Sequence, residues 1–211
     1  MFEAISRNGI LLAVFAIICT ASVSLVSMMT KPVIAQQEQR ALLKTVDQLI
    51  PQEIYNNDLF ASCFYTKNDM LLGKNRAQKV FLAKKNNQPV AMMIESSTFK
   101  GYSGEIKLAV AILADGTVSG VRVLHHTETP GLGDKVETRK TDWIYAFNNM
   151  FFDENQPEHW EVKKNGGDID AFTGATITPR AVTLAVRDTL IYFSKHKQML
   201  FNHAPDCSVQ E

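Results

Sequence analysis

Asp170-Ala171-Phe172-Thr173-Gly174-Ala175-Thr176 runs straight into Ile177-Thr178-Pro179-Arg180-Ala181-Val182. Small residues and two hydroxyls surround a glycine, and a strong helix start follows. Thr178 suits an N-cap and Pro179 suits the first helical position, where a missing N–H costs nothing. Val182, Ala185, Val186, Thr189, Leu190 and Phe193 then recur at three- and four-residue spacing, which predicts a helix over 179–197. Its last turn would carry Lys195, His196 and Lys197, cations matched to the negative end of the helix dipole, while the positive end faces the 173–176 loop. Such a loop can hold a phosphate against free backbone amides. The same residue types also serve a plain helix-entry loop, so composition alone leaves both readings open.

Upstream of that helix the period changes. Residues 80–83 and 90–95 read as strands flanking the turn Asn86-Asn87-Gln88-Pro89, and 106–113 and 117–124 as two more joined by Asp115-Gly116, a strong hairpin signal. Residues 143–147 fit a short helix and 159–163 an edge strand. Strands first and a long helix last give an α+β fold with a mainly antiparallel sheet.

At the other end of the chain, residues 9–30 carry no charge and are rich in Leu, Ile, Val, Ala and Phe, bracketed by Arg7 and Lys31. At about 1.5 Å per residue they reach across a hydrocarbon core of about 30 Å. A cleaved signal peptide is the alternative, and Val33-Ile34-Ala35 offers a small-residue cleavage pattern, but its apolar region normally spans only about 7–15 residues. Ile18 is too bulky to precede a lipoprotein cysteine, so Cys19 reads as a plain thiol. Residues 36–49 form a further helical pattern, with Ala41, Leu42, Val46 and Leu49 on one face and Pro51 as its stop. The expected organisation is a short flank (1–8), a transmembrane helix (9–30), a connecting helix (31–50) and one domain (51–211). Orientation stays undecided, because Arg7 and the amino terminus oppose Lys31, Arg40 and Lys44.

Twenty-two basic residues balance 22 acidic ones, so no basic surface calls for nucleic acid. The spacing of Cys63 and Cys207 does not show whether they pair. His125 and His126 are adjacent, and on a strand they would point to opposite faces, so no metal site is expected from them.

The stretch Asp-x-x-Thr-Gly-Ala-Thr at 170–176 resembles the signature of the FMN-binding domain family. With the turn Gly101-Tyr102-Ser103-Gly104, the loop Thr129-Pro130-Gly131-Leu132-Gly133 and the single apolar segment, the chain is most similar to one branch of that family, the G subunits of Rnf-type ion-translocating electron transport complexes. The resemblance implies FMN carried covalently, its phosphate esterified to the hydroxyl of Thr176. It also implies cofactor contacts from Thr173, Gly174, Ala175, Thr129, Gly131, Leu132 and Gly133, with Tyr102 and Phe172 stacking on or edging the ring. Asp170 would belong to the sequence read by a flavin transferase. The implied role is a bacterial inner-membrane electron carrier with its domain on the periplasmic side, working with the other subunits of the complex and turning over no substrate alone.

Residue chemistry agrees with part of this. An ester needs an accessible hydroxyl with little bulk beside it, which Gly174 and Ala175 provide, whereas a carboxylate such as Asp170 would repel a phosphodiester. Tyr102, Phe172 and Trp143 serve equally well as core, and Lys163 and Lys164 as solvated cations rather than partners of the flavin's polar edge. Three other readings remain: the FMN-carrying C subunit of a sodium-translocating NADH:quinone reductase, a flavin reductase with exchangeable FMN, and a membrane-tethered binding module with no covalent flavin.

Overall fold

The computed structural model describes residues 2–74 and 76–207; Met1 and residues 208–211, the outer ends of the expected first and last spans, lie outside the described residues. Two compact units divide at Lys44 and Thr45. The expected flank, span and connector run on without a break as one helix, α1 (Phe2–Leu49), with Pro32 inside it. Within it, Ser6–Ile34 is long and apolar enough to cross a membrane. Ile10, Leu12, Phe15, Ile18, Leu25 and Met28 are all exposed, so no single face is reserved for a protein core. The hydroxyls of this stretch are satisfied within the helix: Thr20 donates to the Ala16 carbonyl (2.7 Å), Ser22 to Ile18 (2.8 Å) and Thr30 to Val26 (2.9 Å). Hydrocarbon tolerates polar groups paired in this way.

In the second unit five strands, β1 (Cys63–Thr66), β2 (Gln78–Lys85), β3 (Gln88–Thr98), β4 (Ile106–Leu113) and β5 (Val118–His125), form an antiparallel meander in sequence order. The long helix α2 (Ile177–Phe201) packs on one face. Leu82, Met92, Ile94, Leu108, Val110 and Ile112 from the sheet meet Val182, Val186, Leu190 and Phe193 from the helix there. The opposite face is buried too. Its central row, set by register, is Cys63, Phe81, Met93, Ala111 and Gly120. Phe60 meets Phe81 edge-on, with ring centroids 5.3 Å apart, and Leu49 fills the space over Gly120, where a Cβ would stand 2.8 Å from its Cδ2. The architecture is therefore α+β: an apolar N-terminal helix, an antiparallel sheet and a C-terminal helix.

Both edge strands carry backbone hydrogen bonds from outside the sheet, β5 at its first residue and β1 along its length, which limits open pairing there. At β5, Val118 exchanges hydrogen bonds with Met150 and Asn149 (both 2.8 Å). At β1, the tail supplies the cover: the Tyr65 amide donates to the Asp206 carboxylate (2.7 Å), the Asp206 amide donates to the Cys63 carbonyl (3.1 Å), and His203 stacks on Phe64. Cys63 and Cys207 are joined as a disulfide, which their spacing could not decide.

Several local expectations are corrected. The turn after β2 is only Asn86-Asn87, both at positive φ (51° and 66°), a conformation asparagine tolerates; Gln88 and Pro89 already belong to β3, with Pro89 at a register shift where the ladder is interrupted. Residues 159–163 form no strand. Pro157 opens a 3-10 turn (Pro157–Trp160), a second follows (Lys163–Asn165), and Val162 makes one isolated bridge to Ile169 while Trp160 is buried in the core. The short strand β1 was not foreseen, whereas the helix over Trp143–Phe147 is present as a 3-10 turn. α2 runs past Lys197 because Leu200 is buried and Phe201 meets Phe193 edge-on, so Lys195, His196 and Lys197 do not occupy its last turn.

Candidate functional site

The 170–176 stretch is a tight loop on the surface of the second unit. The Ala175 amide donates to the Phe172 carbonyl (3.1 Å), closing a turn in which Gly174 sits at φ 81°, a left-handed conformation that favours glycine. Thr173 and Gly174 are exposed, and Ala175 and Thr176 are half-buried. Below the loop, Phe172 meets Trp143 edge-on (5.1 Å), and the Trp143 indole donates to the Asp170 carbonyl (2.6 Å). Both aromatics pack against the core cluster, so they anchor the loop from beneath. The Asp170 carboxylate faces outward and pairs with Lys163 (2.8 Å), which accounts for that lysine.

The helix begins two residues earlier than its sequence signals suggest. Thr176, not Thr178, is the N-cap, and its hydroxyl makes no capping hydrogen bond. Pro179 falls at the third helical position, where it again removes an N–H that would have no partner. The amides of Ile177 and Thr178 are left at the positive end of α2, beside the Thr176 hydroxyl.

Thr178 is diverted by Glu128, a residue whose role went unseen in the sequence. The Thr178 hydroxyl donates to Glu128 Oε2 (2.5 Å), and the Ser103 amide donates to Glu128 Oε1 (3.0 Å). Glu128 is only 5% exposed. Its own amide donates to His126 Nδ1 (3.0 Å), which leaves the imidazole Nε2 to donate to Glu137 (2.8 Å). Burial pushes the Glu137 carboxyl up, but hydrogen bonds from Arg139 and His126 hold it below its ordinary value. His126 is thus a structural link, and among the described residues no group of three or more His, Cys, Asp or Glu is placed to hold a metal ion.

Three of the expected segments therefore meet. The 129–133 loop folds on the Thr129 carbonyl, which accepts from Leu132 (3.2 Å) and Gly133 (3.1 Å). Leu132 reaches the motif loop, with its Cδ2 3.7 Å from where a Cβ on Gly174 would stand. Gly133 is pressed against Glu128 and Thr178, and Gly101 against Glu128, so the 101–104 turn joins the same junction. Tyr102 (70% exposed), Leu132 (42%) and Ile177 (51%) stay open to solvent around it. Tyr102 is exposed on this turn, whereas Phe172 and Trp143 are packed beneath the loop. Ile177, an exposed apolar residue beside Thr176, was not singled out from the sequence.

The site is open. Two cavities of about 300 Å³ lie elsewhere, one lined by Arg122, His126, Glu137 and Arg139 and the other by Met150, His159, Trp160 and Asp168. A bidentate ion pair between Arg180 and Glu161 (Nε–Oε2 2.9 Å, Nη2–Oε1 2.7 Å) steadies the first turns of α2 from the 161 side.

An exposed glycine turn, free amides at a helix start, an uncapped threonine hydroxyl and a ring of exposed apolar side chains define a surface suited to a phosphate-bearing planar cofactor. Residues 101–191 match the FMN-binding domain family, which places this chain among FMN-binding-domain proteins, and residues 1–49 match the RnfG N-terminal region. The chain is 46% identical over 207 residues to the G subunit of the ion-translocating oxidoreductase complex of Shewanella amazonensis, covering 98% of this chain and 96% of that one. It is 45% identical over 210 residues to the Vibrio cholerae G subunit, covering both chains fully, and 42% identical to that of Pseudoalteromonas atlantica. The chain belongs to the family of G subunits of ion-translocating oxidoreductase complexes.

Proposed function

We propose that this chain is the membrane-anchored electron-transfer subunit of a redox-driven ion-translocating complex, and that it carries FMN as a phosphoester on Thr176. The observation that carries the attachment site is the state of Thr176: a half-buried residue whose hydroxyl makes no capping bond, preceded by the small Gly174 and Ala175 and set at the positive end of α2. The residues present fit the group. The amides of Ile177 and Thr178 suit the phosphate, while Leu132, Tyr102 and Ile177 offer apolar surface to the ring. Bound FMN supplies one- or two-electron exchange, and the protein holds and exposes it. An open shelf cannot retain a soluble cofactor by enclosure, so a covalent bond answers a physical need of this surface.

Asp170 is the residue a flavin transferase would read, since its carboxylate projects outward beside the loop. The helix Ser6–Ile34 is the anchor. Its charged residues, Arg7 and Lys31, lie near its two ends and leave the middle without charge, so ion passage belongs to the other subunits of the complex. The Cys63–Cys207 pairing supports placing the second unit on the periplasmic side of a bacterial inner membrane, because disulfides persist in oxidising compartments. The carrier passes electrons between partners and turns over no substrate alone.

Intact mass of the chain produced with and without a flavin transferase tests the attachment. The expected gain is one FMN less one water, surviving denaturation, mapped to the Thr176 peptide and absent in Thr176→Val. An unchanged mass in mature material, or a gain retained by Thr176→Val, refutes it.

A further inference from the structure

We propose that Glu128 is a positioning residue for the flavin-bearing hydroxyl, a reading that rests on Thr176 as the attachment point. Its carboxylate is buried at the one place where the 101–104 turn, the 129–133 loop and the first turn of α2 meet. Oε1 takes the Ser103 amide and Oε2 takes the Thr178 hydroxyl, two residues beyond Thr176. Burying a carboxylate is costly, and it is tolerated only when its oxygens are well partnered. Here both partners are neutral, and the positive end of α2 offsets the charge.

Two glycines leave room at this junction, where the Gly104 carbonyl and the Thr178 hydroxyl crowd in beside the carboxylate. A Cβ on Gly101 would stand 2.7 Å from Oε1, and a Cβ on Gly133 would stand 2.8 Å from Oε2. The backbone of Glu128 is fixed in turn by His126, and the Ser103 carbonyl is fixed by the Thr127 hydroxyl (2.8 Å). The bond to Thr178 also removes that residue as the helix cap, which leaves Thr176 as the cap of α2 with its hydroxyl uncommitted. Glu128 thereby sets the register of the helix start and joins the segment that presents the hydroxyl to the two segments that would face the flavin ring.

The test uses hydrogen exchange on the full chain in detergent without flavin, together with the rate of flavin attachment on co-expression with the transferase. Thr178→Val removes one arm of the junction without touching Ser103, yet the exchange of the Ser103 amide should rise about tenfold, the expected effect of loosening a charged hydrogen bond. β3 and β4 should keep wild-type protection. Thr178→Ser should restore the wild-type pattern, whereas Glu128→Gln, which keeps one acceptor oxygen and replaces the other with an NH2 donor, should raise the exchange of the Ser103 amide less than Glu128→Ala. Attachment at Thr176 should slow in Glu128→Ala and Thr178→Val, and the double variant should be no slower than the worse single. Thr189→Val, which loses a buried hydroxyl bonded to the Ala185 carbonyl far along α2, should keep the wild-type rate at a similar melting temperature.

An unchanged Ser103 amide in Thr178→Val overturns the proposal, as does attachment that follows melting temperature equally in Thr189→Val. If Glu128→Ala fails to fold, the Thr178 pair decides alone. If the wild type takes no FMN at Thr176, the attachment reading falls, while the exchange data still decide whether Glu128 couples the two segments.

Discussion

Gly131 and Gly133 sit two residues apart in one loop and are needed for different reasons, so the same substitution should separate them. At Gly133 the constraint is space. A Cβ would stand 2.8 Å from both Glu128 Oε2 and Thr178 Oγ1 and 2.9 Å from Glu128 Cβ, so the 2.5 Å bond between those side chains must open. Overpacking of this kind costs about 1–3 kcal/mol, and a lost hydrogen bond to a charged group about 1.5–3 kcal/mol. In a unit of this size each kcal/mol moves the melting temperature by about 2–4 °C, so Gly133→Ala should melt about 10 °C lower. At Gly131 the constraint is conformation: φ is 79°, and a Cβ there would meet no atom within 4 Å. Gly131→Ala should cost only the left-handed penalty of about 1–2 kcal/mol, and Gly131→Asn less, because asparagine tolerates that region. Thermal melts of the full chain followed by circular dichroism, with flavin attachment measured on the same samples, make the comparison. A Gly133→Ala melt within about 2 °C of wild type, or one higher than that of Gly131→Ala, refutes the reasoning.

Removing the Cys63–Cys207 bond by a Cys63→Ser/Cys207→Ser double substitution reopens a ring with a sequence separation of 144; chain entropy puts the loss near ~5 kcal/mol, visible as a lower denaturation midpoint and matched by reducing the wild type. Burial pushes the Glu95 carboxyl up, with Lys79 and Lys107 offsetting it only in part. Its contribution to stability is therefore fully present below the ordinary value of 4.5 and is lost as pH rises through the higher folded value, so Glu95→Gln should raise the melting temperature at neutral pH and do little in acid. Glu161 runs the other way, because the Arg180 hydrogen bonds hold its carboxyl below 4.5 against the opposing effect of burial. That stability is present above 4.5 and lost as pH falls through the lower folded value; Glu161→Gln should flatten the acid limb of a stability–pH curve by about 0.2–1 kcal/mol, the range for a solvent-screened pair.

What the sequence displayed was mostly local. Asp115-Gly116 gave its hairpin because one left-handed glycine suffices, and Trp143–Phe147 gave its short helix. The start of α2 was misplaced by two residues because Thr176 and Thr178 carry the same capping chemistry, and only the tertiary partner Glu128 decides between them. That partner is 50 residues from Thr178 and 25 from Ser103, beyond the reach of any periodicity. The 159–163 error has a similar origin: Trp160 and Val162 alternate like a strand but are buried in and beside consecutive 3-10 turns. The motif loop was legible as a loop before a helix. Its surroundings were not, because the proximity of Leu132 to Gly174 and the clearance at Gly101 and Gly133 exist only in three dimensions.

The bond between Cys63 and Cys207 encloses the motif loop, Glu128 and every strand after the first. Ribosomes and translocation pores deliver a polypeptide from its amino end, so the second thiol arrives only after all of that sequence has emerged. Closure of the ring is consequently a late event in biogenesis, and a thiol-trapping gel that separates open from closed chains would act as a clock for completed folding.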